Sequence, residues 1–284
     1  MTTRAIKRVS TSQPTMEGAG VHLHRAFGNN EVPLFDPFLL LDDFRSATPE
    51  HYRKGFPWHP HRGIETITYV LRGDVEHGDS LGNRGDIGCG DVQWMTAGSG
   101  IIHQEMPKGD REGKMEGFQL WANLPAADKM MNPRYRDIAA AQIPAVTLDS
   151  GAVIKVICGR VGDVYGPVRD VVIEPQYLDV MLPPATTFSH LTPHGHTVFA
   201  YVHAGTGRFD QAAGDELDNR SLVLFDQGER VAISSGAEGL CFLLVAGKPL
   251  GEPVAWGGPI VMNSQEELKL AFDELRSDRF IKHG

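Results

Sequence analysis

Short apolar runs rich in Val, Ile, Leu and Phe recur along the chain, separated by glycine, proline and Asn/Asp-containing turns. In the first half they fall at 6–9, 21–26, 38–41, 64–71, 92–95, 101–105 and 117–122. A second set falls at 152–158, 171–173, 177–182, 197–202, 221–225, 231–234 and 240–246. Short runs punctuated in this way are the pattern of β-strands in a barrel or sandwich. Tight turns are marked at 81–86 (LGNRGD) and 108–110 (KGD). Residues 125–144 have little β character and read as a linker with a helical turn. The pattern therefore predicts an all-β protein of two antiparallel, jelly-roll-like barrels. The first spans 1–130, the linker 131–144, and the second barrel with a terminal helix 145–284.

That helix is the one helical element the sequence predicts. Ser264 and Glu267 have the Ser-x-x-Glu spacing of a capping box, and Leu268, Ala271, Phe272 and Leu275 follow at helical spacing. One apolar stripe results, and a barrel's outer wall is the surface expected to cover it.

Candidate chemistry concentrates at 59–105. This stretch opens with His59-Pro60-His61 and closes with His103-Gln104-Glu105. Side chains two apart on a strand share a face, so each dyad can aim both groups into one interior. Two such strands side by side would surround a single ion with three imidazoles and a carboxylate, a set suited to first-row metals. Four ligands on a six-coordinate ion leave two positions open for reactants. Other chemistries find no support: Gly98-Ser99-Gly100 is not followed by lysine, and no nucleophile elbow or dinucleotide fingerprint is present.

Bulk properties narrow the partners. The 284 residues carry a formal net charge of −9 with no basic run, which argues against direct nucleic-acid binding or an anionic membrane surface. No apolar stretch approaches twenty residues, and the first residues lack a signal-peptide core. Cys89, Cys158 and Cys241 lie far apart and form no Cys-x-x-Cys pair, as expected of a cytoplasmic protein without a disulfide framework. Cys158 and Cys241 sit in apolar runs and read as core residues.

HPHRGIETITYVLRGDVEHGDS, followed by GDVQWMTAGSGIIHQEMP, resembles the signature of the pirins, a branch of the cupin superfamily. The flanking DPFLLLDDF (36–44) and GPIVMNSQEELKLAFDELRSDRF (258–280) resemble pirins too, so the likeness covers nearly the whole chain. His59, His61, Glu65 and Gly73 fit the first general cupin motif with one extra residue before the glycine. The second motif departs: Thr96 stands at its proline, His103 comes two residues late, and Pro107 replaces asparagine. The resemblance implies a bicupin in which His59, His61, His103 and Glu105 bind the metal and Glu65 does not.

The resemblance further implies one divalent ion, expected to be iron(II), with manganese, cobalt, nickel or zinc as alternatives. It implies a dioxygenase opening the heterocycle of flavonols such as quercetin, with a planar aromatic substrate and O2; in that ligand set bound imidazoles have spent their lone pairs, so Glu105 is expected to be the catalytic base. The alternative is an iron-binding, redox-responsive regulator acting through a protein partner. Phe56, Trp58, Trp94 and Met95 are candidate pocket walls by position. Remaining histidines read as structural: His22 and His24 on a solvent-facing strand edge, and His190, His194 and His196 in a second barrel without metal. Glu65 shares strand parity with His61, but four residues span about 13 Å of extended strand. It is expected to be structural or to orient a ligand imidazole.

Overall fold

The structure, a computed structural model, describes residues 1–210 and 214–283. Two compact units account for it, each built on antiparallel sheets. The first unit pairs a seven-stranded sheet with a four-stranded one. The large sheet runs Arg134–Ile138, Val92–Thr96, Ile64–Arg72, Glu116–Asn123, Phe38–Asp43, Val21–Phe27 and Gln13–Glu17. The small sheet runs Phe56–His61, Ile101–Lys108, Asp74–Asp79 and Arg84–Ile87.

The two-residue period sets what each strand contributes. Along Ile101–Lys108 burial alternates strictly, with Ile101, His103, Glu105 and Pro107 turned inward. On Ile64–Arg72, Thr66 and Thr68 share one face while Glu65, Ile67 and Tyr69 share the other. Apolar packing in this barrel is divided between a cluster around Leu23, Phe44, Tyr52 and Val70 and another around Leu39, Ile64, Met95 and Ile101.

The second unit is built on an eight-stranded sheet: Ile6–Thr11, Ser221–Phe225, Thr197–Arg208, Arg230–Gly247, Gln176–Leu182, Val153–Cys158 and Ala145–Thr147 in order, with Thr187–Leu191 also on Arg230–Gly247, and it carries a small ribbon of Arg160–Val161 and Val164–Tyr165. Its interior holds an apolar cluster that includes Phe188, Phe209, Phe225 and Phe242.

The units are not consecutive along the chain, as the division at 131–144 had them. Met1–Ser12 and Phe35–Pro37 belong with Ala141–Pro249, and Leu250–Gly284 belongs with Gln13–Leu34 and Phe38–Ala140. The reason is strand pairing: Ile6–Thr11 completes the edge of the second sheet on Ser221–Phe225. The tail instead forms the ribbon Ala255–Gly257/Ile260–Met262 and the helix Gln265–Arg276, which pack with Phe280 and the outward-facing Ile102 of the first barrel. Ser264 caps that helix reciprocally with Glu267, as predicted.

Two local expectations need correction. Arg134–Ile138, placed in the linker, is an edge strand on Val92–Thr96, its arginines lying where one side of the strand has no partner. Residues 171–173, expected as a strand, form a turn, followed by Glu174 at positive φ.

Candidate metal centre

The strands Phe56–His61 and Ile101–Lys108 pair so that His59 lies opposite His103 and His61 opposite Ile101. The register shifts beyond His103, bringing Glu105 opposite Phe56. After His61 the chain reverses at Gly63, whose φ of +77° favours glycine and where any Cβ would meet Val261 O at 2.0 Å. Buried Lys129 secures this corner, donating from Nζ to Gly63 O, Asn123 Oδ1 and Val261 O. Burial lowers the Lys129 ammonium to about 8.

His59, His61 and His103 converge, their ligand atoms all within 4.8 Å of one another. His59 Nδ1 stands 2.9 Å from Pro57 O, and His61 Nδ1 stands 3.0 Å from Pro259 O. A carbonyl only accepts, so both Nδ1 atoms carry the hydrogen and both Nε2 atoms present lone pairs. Those two lone pairs point at a common place: His59 Nε2 and His61 Nε2 are 3.1 Å apart. Without a cation between them this is a repulsive arrangement. Two nitrogens each about 2.1 Å from one ion and at right angles stand about 3 Å apart, so the spacing suits a metal.

His103 supports the same reading. It is fully buried, and neither ring nitrogen has a protein partner. Burial first, and the neighbouring His61, His59 and His77 next, hold its pKa well below the usual imidazole range. His61 is lowered likewise by burial and by His59. Neutral imidazoles with free lone pairs are what a metal requires. Three such nitrogens fit a divalent first-row ion.

Glu105 stands beside this trio rather than within the converging set, and its Oε1 accepts from Thr68 Oγ1 at 2.7 Å. Glu65 lies on the opposite face of its strand, accepting from Thr96 Oγ1 at 2.6 Å, with Arg134 at 3.9 Å. Burial pushes the Glu65 carboxyl above its usual range, against the Thr96 hydrogen bond that lowers it. The reversal at Gly63 puts it on a different strand from His61, and its partners are Thr96 and Arg134 rather than the trio.

His59, His61 and Glu105 line a cavity of about 630 Å³. Its apolar walls include Leu23, Leu40, Phe44, Phe56, Trp121 and Trp256, and its polar groups include Gln119, Glu17, Arg25 and Asp42. Trp121 meets the His61 ring edge-on at 5.0 Å and stands 6.0 Å from Trp256. Arg25 grips Asp42 through two hydrogen bonds of 2.8 and 2.7 Å and pairs with Glu17 at 2.9 Å.

Of the four expected wall residues only Phe56 is in place. Trp58 is exposed outside this cavity, Trp94 is buried on the far face of its strand, and Met95 packs in the apolar cluster with Ile101. Trp121, Trp256, Thr68 and Gln119 were missed. The Thr66/Thr68 parity in IETITYV carried a signal for the polar wall, whereas Trp256 arrives through a chain return with no local signature. His77 was also overlooked: it is buried opposite Glu105, its ring 5.4 Å from His103 and its Nε2 3.6 Å from Asp79 Oδ2. Cys89, Cys158 and Cys241 form no disulfide; Cys158 is buried, and Cys241 is only half-buried.

His22 is exposed and stacks on His51 at 4.5 Å, while His24 is half-buried; their strand lies inside the large sheet rather than at its edge. His190 lies on Thr187–Leu191 with Nε2 3.0 Å from Gln176 Oε1. His194 is exposed and His196 buried in the turn that follows, and these three do not converge.

Two cupin-type barrels, one carrying a histidine trio that could hold a metal, define the class. Within it, two family models match, Pirin over residues 20–122 and the Pirin C-terminal cupin domain over 177–281. A pirin-like protein of Caulobacter vibrioides is 42% identical over 281 residues, covering 99% of this chain and 100% of the relative. A Pseudomonas aeruginosa protein provisionally named a quercetin 2,3-dioxygenase is 44% identical over 278 residues, 96% of each chain. A crystal structure of quercetin 2,3-dioxygenase from Acinetobacter baumannii superposes with a TM-score of 0.88 at 30% identity, covering 98% of this chain and 99% of that one. The chain belongs to the pirin family. No described helix is long and apolar enough to cross a membrane.

Proposed function

We propose that this protein is a metal-dependent dioxygenase that opens the heterocycle of flavonols with O2, using His59, His61, His103 and Glu105 as ligands. The observation that carries the metal is the pair of opposed Nε2 lone pairs 3.1 Å apart. The aromatic cavity beside them supports a planar substrate, and the similarity to quercetin 2,3-dioxygenases supports the reaction class. Iron(II) is the expected ion, and manganese, cobalt or nickel would suit the same donors.

When bound, the ion supplies Lewis acidity and a template for the substrate oxygen and dioxygen. The protein's own groups do the rest. Trp121, Trp256, Phe44 and Phe56 hold the planar rings and exclude water. Pro57 O and Pro259 O fix the tautomers of His59 and His61. Glu105 accepts the proton of the flavonol 3-hydroxyl, because bound imidazoles have already committed their lone pairs.

The test is oxygen uptake with flavonols by iron-loaded and metal-free protein; uptake by the loaded form alone is expected. Silence of the iron, manganese, cobalt and nickel forms across several flavonols would overturn the enzyme and favour a redox-responsive regulator with a protein partner.

A further inference from the structure

Thr68 has one hydroxyl hydrogen and two oxygens in reach: Glu105 Oε1 at 2.7 Å and Gln119 Oε1 at 2.8 Å. It cannot donate to both. At the other end of the same amide, Gln119 Nε2 is buried with no partner. Turning the Gln119 amide by 180° removes the first conflict. Nε2 then donates to Thr68 Oγ1, the Thr68 hydrogen goes to Glu105, and the Gln119 carbonyl takes the unpartnered place. The three residues are arranged for this, since Thr68 and Gln119 face each other across the ladder and Gln119 and Glu105 line one cavity.

We propose that Thr68 and Gln119 are positioning residues: Gln119 orients the Thr68 hydroxyl, which fixes one Glu105 oxygen and leaves the other for the metal. This role rests on Glu105 as a ligand in the function proposed above, and not on the flavonol reaction.

Cobalt(II) affinity and its visible spectrum report Glu105 without turnover. Thr68→Val is expected to weaken cobalt binding by roughly 10-fold or more, the scale for groups that orient ligands, and Thr68→Ser to restore it. Gln119→Glu, which replaces the amide donor by a second acceptor, is expected to weaken cobalt binding as Thr68→Val does. Wild-type cobalt affinity and spectrum in both Thr68→Val and Gln119→Glu would overturn the positioning role.

Failure of the wild type to bind cobalt at all would overturn the metal centre and this role together.

Discussion

The two barrels carry histidine-rich stretches at corresponding places, before the long central strand of each, yet among the described residues only one stretch gathers its imidazoles into a cluster. In the first barrel His59 and His61 lie on a strand, share a face, and meet His103 on the neighbouring strand. In the second, His194 and His196 fall in a turn, and His190 has already paired with Gln176. The interiors differ in step. Phenylalanines and aliphatic side chains pack the second barrel, whereas polar positions of the first, Gln119 and Glu105, face a cavity. A histidine pair joins a cluster able to hold a metal when strand parity aims it inward and the interior is left unfilled. Matching spacing in sequence does not suffice.

The comparison can be broken most sharply at the metal. His103→Ala is expected to abolish stoichiometric metal binding, a loss on the order of 100-fold or more in affinity, beyond what outer groups contribute. His194→Ala should leave metal content unchanged by elemental analysis, and a loss of metal there would reverse the assignment of the barrels. Next in size is the second barrel's core. Phe242 is fully buried, and Phe242→Ala should cost about 3–5 kcal/mol in denaturant unfolding while metal per folded molecule stays constant.

Glu105→Gln sharpens the contrast within the first barrel. Turnover should fall by roughly 10²-fold in fully metallated protein, the scale of general base catalysis. Near-normal turnover would leave Glu105 without a role as base. The smallest effect concerns pH. Burial lowers His190 from its ordinary value to about 4, so between about 6.5 and 4 the unfolded chain binds the proton first. Its contribution to stability is thus complete above about 6.5 and is lost as pH falls toward 4. His190→Gln should flatten that part of the urea-midpoint profile, and an unchanged slope would assign the acid sensitivity elsewhere.

Much of this architecture was legible before any coordinates. Alternation in IIHQEMP placed His103 and Glu105 on one face, and the Ser264/Glu267 box located the helix start. What stayed hidden depended on distant pairing. Nothing local in residues 1–12 states that they will join Ser221–Phe225, or in AWGGPI that Trp256 will wall a cavity beside His61. The strand Arg134–Ile138 escaped because its residues face solvent on one side and carry few apolar positions, so pairing with Val92–Thr96 decides its conformation. Residues 171–173 erred the other way, since two valines and an isoleucine carry β propensity that a turn overrides.

The return of the tail to the first barrel has a consequence for synthesis. A ribosome releases His59, His61 and His103 early, but the carbonyl that sets the His61 tautomer belongs to Pro259, made after nearly all of the second barrel. Lys129 likewise waits for Val261 O before its third hydrogen bond can form. A nascent chain therefore displays three imidazoles in the right order while one still lacks its orienting partner. The His61 ring is thus fixed only once the tail is made, and a chain terminated in the second barrel would carry all three imidazoles with that one unheld.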